Sequence, residues 1–230
     1  MATTPRAPGG ALHTVLLDID GTLLDSNDAH ARAWVDALAA HGYVVSFAQI
    51  RPLIGMGGDK LLPALTGLDP ESGEATRMGD TRGEIFLERE LPSLRPTRGA
   101  RALLEHIKAR GLELVVATSA KKDEVGALLE QAGVADLIEA ASSADDAERS
   151  KPDPDIVQAA LRAVRRPASH SVMIGDTPYD VEAATRARVP IIALRCGGGW
   201  DDAALAGALA IYDDPADLLA KYGESVLARR

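Results

Sequence analysis

The chain has 230 residues, enough for one large domain or for a core with a smaller appendage; 46% of it is apolar and only 3% aromatic, so its interior must be built from Ala, Leu, Val and Ile. A net charge of −9 argues against nucleic acid or an anionic membrane as partner, and a single cysteine, Cys196, excludes an internal disulfide and fits a reducing, cytoplasmic setting. No apolar run approaches the length needed to span a membrane.

Residues 1–11 are rich in Pro, Gly and Thr, carry no apolar stretch and read as a flexible tail. The segment 13–18 follows, with the apolar run Val15–Leu17 of a buried strand. It ends in Asp18 and Asp20, two positions apart and so on the same side of the chain. Gly21-Thr22 then break the pattern. Like charges this close repel unless a cation lies between them, and hard oxygen ligands with open positions suit Mg²⁺. A strand-end Asp that merely caps the next turn is the plainer alternative for this motif alone.

Helical spacing of Ala29, Ala33, Trp34, Ala37 and Leu38 predicts a helix that stops at Gly42. Phe47–Ile54, the glycine cluster 55–58, a short helix near 60–65 and a polar helical stretch over 71–91 come next. None of this reads as strand, so 23–94 is expected to form a small helical domain inserted after the first strand. Leu91–Pro96, with two prolines, is the return linker. Beyond it, helices over 98–110, 123–132, 155–164, 179–187 and 215–222 alternate with strands over 112–117, 137–140, 171–174 and 191–194. That alternation predicts βαβ units and a parallel sheet, an α/β, Rossmann-like three-layer core made of 12–22 and 95–230.

Polar residues cluster where those strands end. After 112–117 come Thr118, Ser119 and Ala120; Lys151 stands in Ser-Lys-Pro-Asp-Pro; after 171–174 come Asp176 and Asp180. Singly, each has a structural explanation as a helix cap, a solvated lysine or a turn residue. Jointly, caps have no reason to fall at several strand ends with complementary charge, and chemistry in open α/β sheets gathers at the carboxyl ends of strands.

Asp18-Ile19-Asp20-Gly21-Thr22, Thr118, Lys151 and Gly175-Asp176 with Asp180 resemble, in order, the four signature motifs of the haloacid dehalogenase-like hydrolases. The helical insert is similar to the cap of the subgroup containing phosphoglycolate phosphatases and β-phosphoglucomutases. The resemblance implies a Mg²⁺-dependent phosphatase acting on a small phosphorylated metabolite, a sugar phosphate or a phosphoglycolate-like compound. Asp18 would be the nucleophile, Asp20 the acid and base, and Asp18, Asp176 and the Asp20 backbone carbonyl the metal ligands. Thr118, Lys151 and the N–H groups near Ser119 and Ala120 would bind the phosphoryl oxygens, with Asp180 supporting Lys151 or the metal.

The insert is expected to carry specificity, with His30, Arg51 and Lys60 as candidate contacts and Trp34 as cap core. Its charge, counted over 23–92, is six Lys and Arg against eleven Asp and Glu, or −5, which disfavours a large polyanion. The 55–60 segment lacks the arginine with which the mutases grip a second phosphate. A phosphosugar mutase is therefore the second reading, with a dehalogenase, a phosphonatase and a non-catalytic regulatory module ranked lower. Cys196 and the Gly197–Trp200 loop are expected to be structural, and His13, His41, His106 and His170 have no ligand-like spacing.

Overall fold

A computed structural model describes residues 10–228. Most of the expected tail, Met1–Gly9, lies outside the described residues. Six strands, β1 (Thr14–Leu17), β2 (Glu113–Ala117), β3 (Ala140–Ser142), β4 (Ser171–Gly175), β5 (Ile191–Leu194) and β6 (Ala210–Tyr212), form one parallel sheet in the order β3-β2-β1-β4-β5-β6. β1 is central: Leu17 pairs with Val116 on one side and Ile174 on the other. One step further on, Asp18 emerges between the ends of β2 and β4, where the strand order reverses and α/β sheets open a crevice.

β1 and β4 are buried throughout. Alternate residues serve two apolar clusters, as expected for strands covered on both faces. Val15, Leu17, Leu114 and Val116 pack with Leu103, Leu104 and Ile107 of α5 (Ala100–Ala109), Leu128 of α6 (Lys122–Gln131) and Leu218 of α9 (Pro215–Ala220). Leu16, Val115 and Met173 pack with Ile156, Val157 and Ala160 of α7 (Asp155–Val164) and Val181 and Ala184 of α8 (Pro178–Arg186). The result is the expected three-layer α/β core.

The insert is helical: α1 (Asn27–Ala40), α2 (Phe47–Ile50), α3 (Gly58–Thr66) and α4 (Gly73–Ile85). It has its own apolar cluster, in which Trp34 and Leu38 of α1 meet Leu61, Leu62, Ala75 and Met78. Trp34 is therefore cap core as expected, although its ring also reaches a cavity.

Three element boundaries are corrected. The stretch over 71–91 is not one helix: α4 gives way to a π-turn at Phe86–Glu90 and a 3₁₀ turn at Leu91–Ser93. β3 lies at 140–142 rather than 137–140, because Ala135–Leu137 form a 3₁₀ turn whose Leu137 is buried against the sheet. β6 is an additional strand, three residues long and only half-covered.

Candidate active site

The turn after β1 sends its two carboxylates in different directions. Gly21 adopts φ +79°, the left-handed region that suits glycine, and a Cβ there would collide with Asn27 Nδ2 and Asp176 Oδ2. Asp18 points inward, 5% exposed, and its Oδ1 accepts a hydrogen bond from Lys151 Nζ. Asp20 turns toward the cap, where its Oδ1 accepts from Ser26 Oγ at 2.6 Å and pairs with His30 Nε2 at 2.8 Å. His30 is stacked on Phe86 with ring centroids 3.9 Å apart, and its Nδ1 faces Arg82 Nη1 at 3.5 Å. A guanidinium only donates, so Nδ1 is the acceptor and Nε2 carries the hydrogen given to Asp20.

The end of β4 supplies the next carboxylates. Asp176 accepts from Thr22 Oγ1 of the β1–α1 connection at 3.0 Å and from Asn27 Nδ2 at the start of α1 at 2.8 Å. Asp180 lies in the first turn of α8, where its Oδ2 accepts from the Thr177 backbone N–H at 3.0 Å and from Thr177 Oγ1 at 2.7 Å. This is a capping box, and the other oxygen of Asp180 meets Lys151 Nζ at 2.7 Å. Asp180 is thus both a helix cap and the group that fixes the lysine. Lys151, 1% exposed, hangs between Asp18 and Asp180. Their charges outweigh the cost of burying an ammonium and hold its proton more tightly than an ordinary lysine does.

At the end of β2, Thr118 is fully buried, and its Oγ1 accepts from the Ala120 backbone N–H at 3.1 Å. Ser119 Oγ is buried without a partner. Both stand in the loop before α6, where the Lys122 N–H is already taken by Asp145 at 2.7 Å.

One oxygen from each of Asp18, Asp176 and Asp180 lies within 4.8 Å of the others. Fully ionised, three carboxylates against one ammonium leave two negative charges buried. Burial pushes the Asp18 carboxyl well up and lifts Asp176 to about 8, with Asp180 adding repulsion at both. A divalent cation would balance that excess, and an all-oxygen donor set suits Mg²⁺. Asp20 behaves oppositely. Burial would raise it, but His30, the Ser26 hydroxyl and the Arg82 guanidinium outweigh burial and hold its carboxyl below the usual range.

Asp18, Asp20, His30, Arg82, Thr118 and Ser119 line a small pocket of about 60 Å³, while Lys151, Asp176 and Asp180 are buried outside its lining. Two sequence-proposed contacts are not in its lining. Arg51 donates to Asp28 at 2.6 Å and to the Gly198 carbonyl at 3.3 Å, and Lys60 donates to Asp153 at 2.7 Å. Both tie the insert to the core or to itself. Arg82, by contrast, lies in the pocket lining although its stretch of sequence reads as a polar helix. A signal existed: Ala75, Met78 and Arg82 share one buried helical face at i, i+3 and i+7. Arg82 is 8% exposed, forks onto Glu124 through two contacts of 3.1 Å and lies 5.6 Å over the Trp34 ring. Cys196 gives its thiol hydrogen to the Gly21 carbonyl at 3.2 Å, and burial pushes its thiol up to about 12, which suits a structural role.

A parallel sheet with carboxylates, a hydroxyl and an ammonium gathered at its switch point makes this an α/β, Rossmann-like core with a helical insert. The chain belongs to the haloacid dehalogenase-like hydrolases, whose family profile matches residues 15–194, and it is a phosphatase of that family. It is 33% identical over 216 residues to the phosphoglycolate phosphatase of Rhodospirillum rubrum, covering 89% of this chain and 88% of that one. A hydrolase structure from Pseudomonas syringae superposes with a TM-score of 0.84 at 32% identity, over 92% of this chain and 98% of that one. The β-phosphoglucomutase of Clostridium difficile superposes with a TM-score of 0.80 over 94% and 97% of the two chains; at 17% identity that likeness concerns the fold alone. Among the described residues no helix is long and apolar enough to cross a membrane.

Proposed function

We propose that the enzyme hydrolyses the phosphate monoester of a small metabolite through an aspartyl-phosphate on Asp18, in the cytoplasm and with Mg²⁺ as cofactor. The observation that carries this reading is the buried excess of negative charge where Asp18, Asp176 and Asp180 meet with only Lys151 to balance them. The side chains of Asp18 and Asp176 and the main-chain carbonyl of Asp20 would hold Mg²⁺, whose charge offsets that on the transferring phosphoryl oxygens.

Asp18 attacks phosphorus, and the bond from phosphorus to the ester oxygen breaks as Asp20 hands a proton to the departing alkoxide. Water then loses a proton to Asp20 and attacks the same phosphorus, which frees Asp18 and inorganic phosphate. His30, Ser26 and Arg82 favour the ionised form of Asp20 that this second step needs, while an arriving phosphate dianion favours the protonated form that the first one needs. Lys151, the Thr118 hydroxyl and the N–H groups of Ser119 and Ala120 bind the phosphoryl oxygens, and Asp180 fixes Lys151. Residues 23–94 act as a cap on a core made of 12–22 and 95–230, and closure keeps bulk water from the phosphoenzyme. Hydrolysis is favoured over phosphosugar mutation because the 55–58 turn brings no arginine to the pocket and the charge of Arg82 is met by Glu124.

The test is phosphate release from a panel of phosphorylated metabolites. Activity should vanish with EDTA and return with Mg²⁺, with Ca²⁺ a poor substitute. Full turnover after exhaustive chelation would contradict the metal assignment.

A further inference from the structure

A second cavity of about 300 Å³ opens between α3, α4 and the 144–150 segment of the core. It shares Trp34, Gly57, Gly58, Arg82 and Ser119 with the 60 Å³ pocket at Asp18, so the two spaces meet at those residues. A group joined to phosphorus at Asp18 has this junction as its way into the larger space. We infer that the larger cavity is the leaving-group site, and that it takes a ring-sized, hydroxylated alcohol with no second phosphate and no carboxylate. This rests on the phosphatase reading and goes beyond it in naming the substrate class.

Size is the first argument. A dry 150 Å³ cavity holds a benzene ring, and sites of 300 Å³ and upward take whole small-molecule ligands. A two-carbon leaving group such as glycolate would leave most of this space to water. The chemistry of the walls is the second. Trp34, Leu62 and Pro70 give an apolar side against which the face of a sugar-like ring can lie.

At the junction, two buried donors have no partner: Arg82 Nε and Ser119 Oγ. The other guanidinium nitrogens of Arg82 meet Glu124, itself 2% exposed, and His30. The Arg82–Glu124 pair therefore offers the Nε–H but no net charge, which selects a neutral acceptor such as a hydroxyl or ring oxygen rather than an anion. Charge around the cavity points the same way. Asp59, whose carboxylate accepts from Ser150, lines it with Asp145 and Glu148 against Lys121, which is itself paired with Asp80 at 2.7 Å. A second phosphate or a carboxylate would meet a net negative wall, whereas an uncharged or amino-bearing ring would not.

Gly79 of α4 offers a way to fill the cavity without touching the reacting groups. It lines the space, and a Cβ built there meets only Lys121 Nζ, at 3.8 Å. The experiment measures kcat/KM of the full chain with Mg²⁺ for acetyl phosphate, 2-phosphoglycolate, glucose 6-phosphate, glucosamine 6-phosphate and glucose 1,6-bisphosphate. Acetyl phosphate is too small to need the cavity, and its acetate leaves without an acid, so its hydrolysis reports attack by Asp18 and turnover of the phosphoenzyme by themselves; no release from it sinks that reading and this one together. With acetyl phosphate turned over, at least one hexose monophosphate should exceed both 2-phosphoglycolate and the bisphosphate tenfold or more. Equal or better turnover of 2-phosphoglycolate or the bisphosphate overturns the inference, as does failure of both hexose monophosphates. Gly79→Leu should lower the ratio of hexose monophosphate to acetyl phosphate activity at least tenfold, and an unchanged ratio also overturns it.

Discussion

Asp18 and Asp20 leave one strand end two residues apart, yet they face different partners and are pushed in opposite directions. Burial beside Asp180 and Asp176 raises Asp18, while His30 and Ser26 hold Asp20 low. Environments that separate two carboxylates in this way allow different roles at one pH. If Asp18 is the nucleophile, Asp18→Asn should cut turnover of a generic aryl phosphate about a thousandfold or more, and wild-type-like turnover would refute it. Gly21→Ala adds a Cβ where the backbone is left-handed and where Asn27 and Asp176 already touch. It should weaken Mg²⁺ dependence of phosphate release about tenfold or more and cost about 1–3 kcal/mol of stability in urea titrations. At this scale the sequence was informative for Asp18, Asp20, Thr118, Lys151, Asp176 and Asp180, because strand ends and short spacing constrain where a side chain can go. It was poor for the insert. Whether Arg51, Lys60 or Arg82 reaches the pocket depends on how helices cross, which no local pattern records.

The helices of the insert are tied to the core by links of unequal strength. Arg82 of α4 and Glu124 of α6 form a buried fork, so Glu124→Ala would strand a guanidinium. It should cost about 3–5 kcal/mol in chemical denaturation; a change below about 1 kcal/mol would show that the pair is better hydrated than its burial indicates. Lys60–Asp153 is nearer the surface, with the lysine side chain 31% exposed. Lys60→Ala should cost under about 1 kcal/mol and change KM for a metabolite and for an aryl phosphate by the same factor; a selective rise for the metabolite would restore Lys60 as a substrate contact. Element type was legible for most of the chain, since period 3.6 and short β-branched runs are distinct signals. β6 escaped because three residues carry no period. The break after α4 escaped because a π-turn keeps helical spacing while adding a residue to the turn.

Over the whole molecule, the charge excess at the sheet edge links metal, protons and stability. Asp176 is raised from 3.8 to about 8, so the folded metal-free protein holds a proton there that the unfolded chain gives up. Its contribution to stability is full below the unfolded value and fades as pH rises through about 8. On the proposed reading, Mg²⁺ would displace that proton and restore the balance. The rise in Tm on adding Mg²⁺ should therefore be clearly larger at about pH 8.5 than at about pH 5.5; a rise independent of pH would place the ion away from Asp176. The three-layer architecture was legible from alternation alone, whereas the leaving-group cavity exists only where insert and core face each other.

Covalent capture of the nucleophile tests the mechanism most directly. Enzyme quenched during turnover, reduced with borohydride and digested should carry homoserine in place of Asp18 when sequenced by mass spectrometry. Reduction at another carboxylate, or phosphate release under Mg²⁺ with Asp18 unmodified at every quench time, would contradict the assignment of Asp18 as the residue that takes the phosphoryl group.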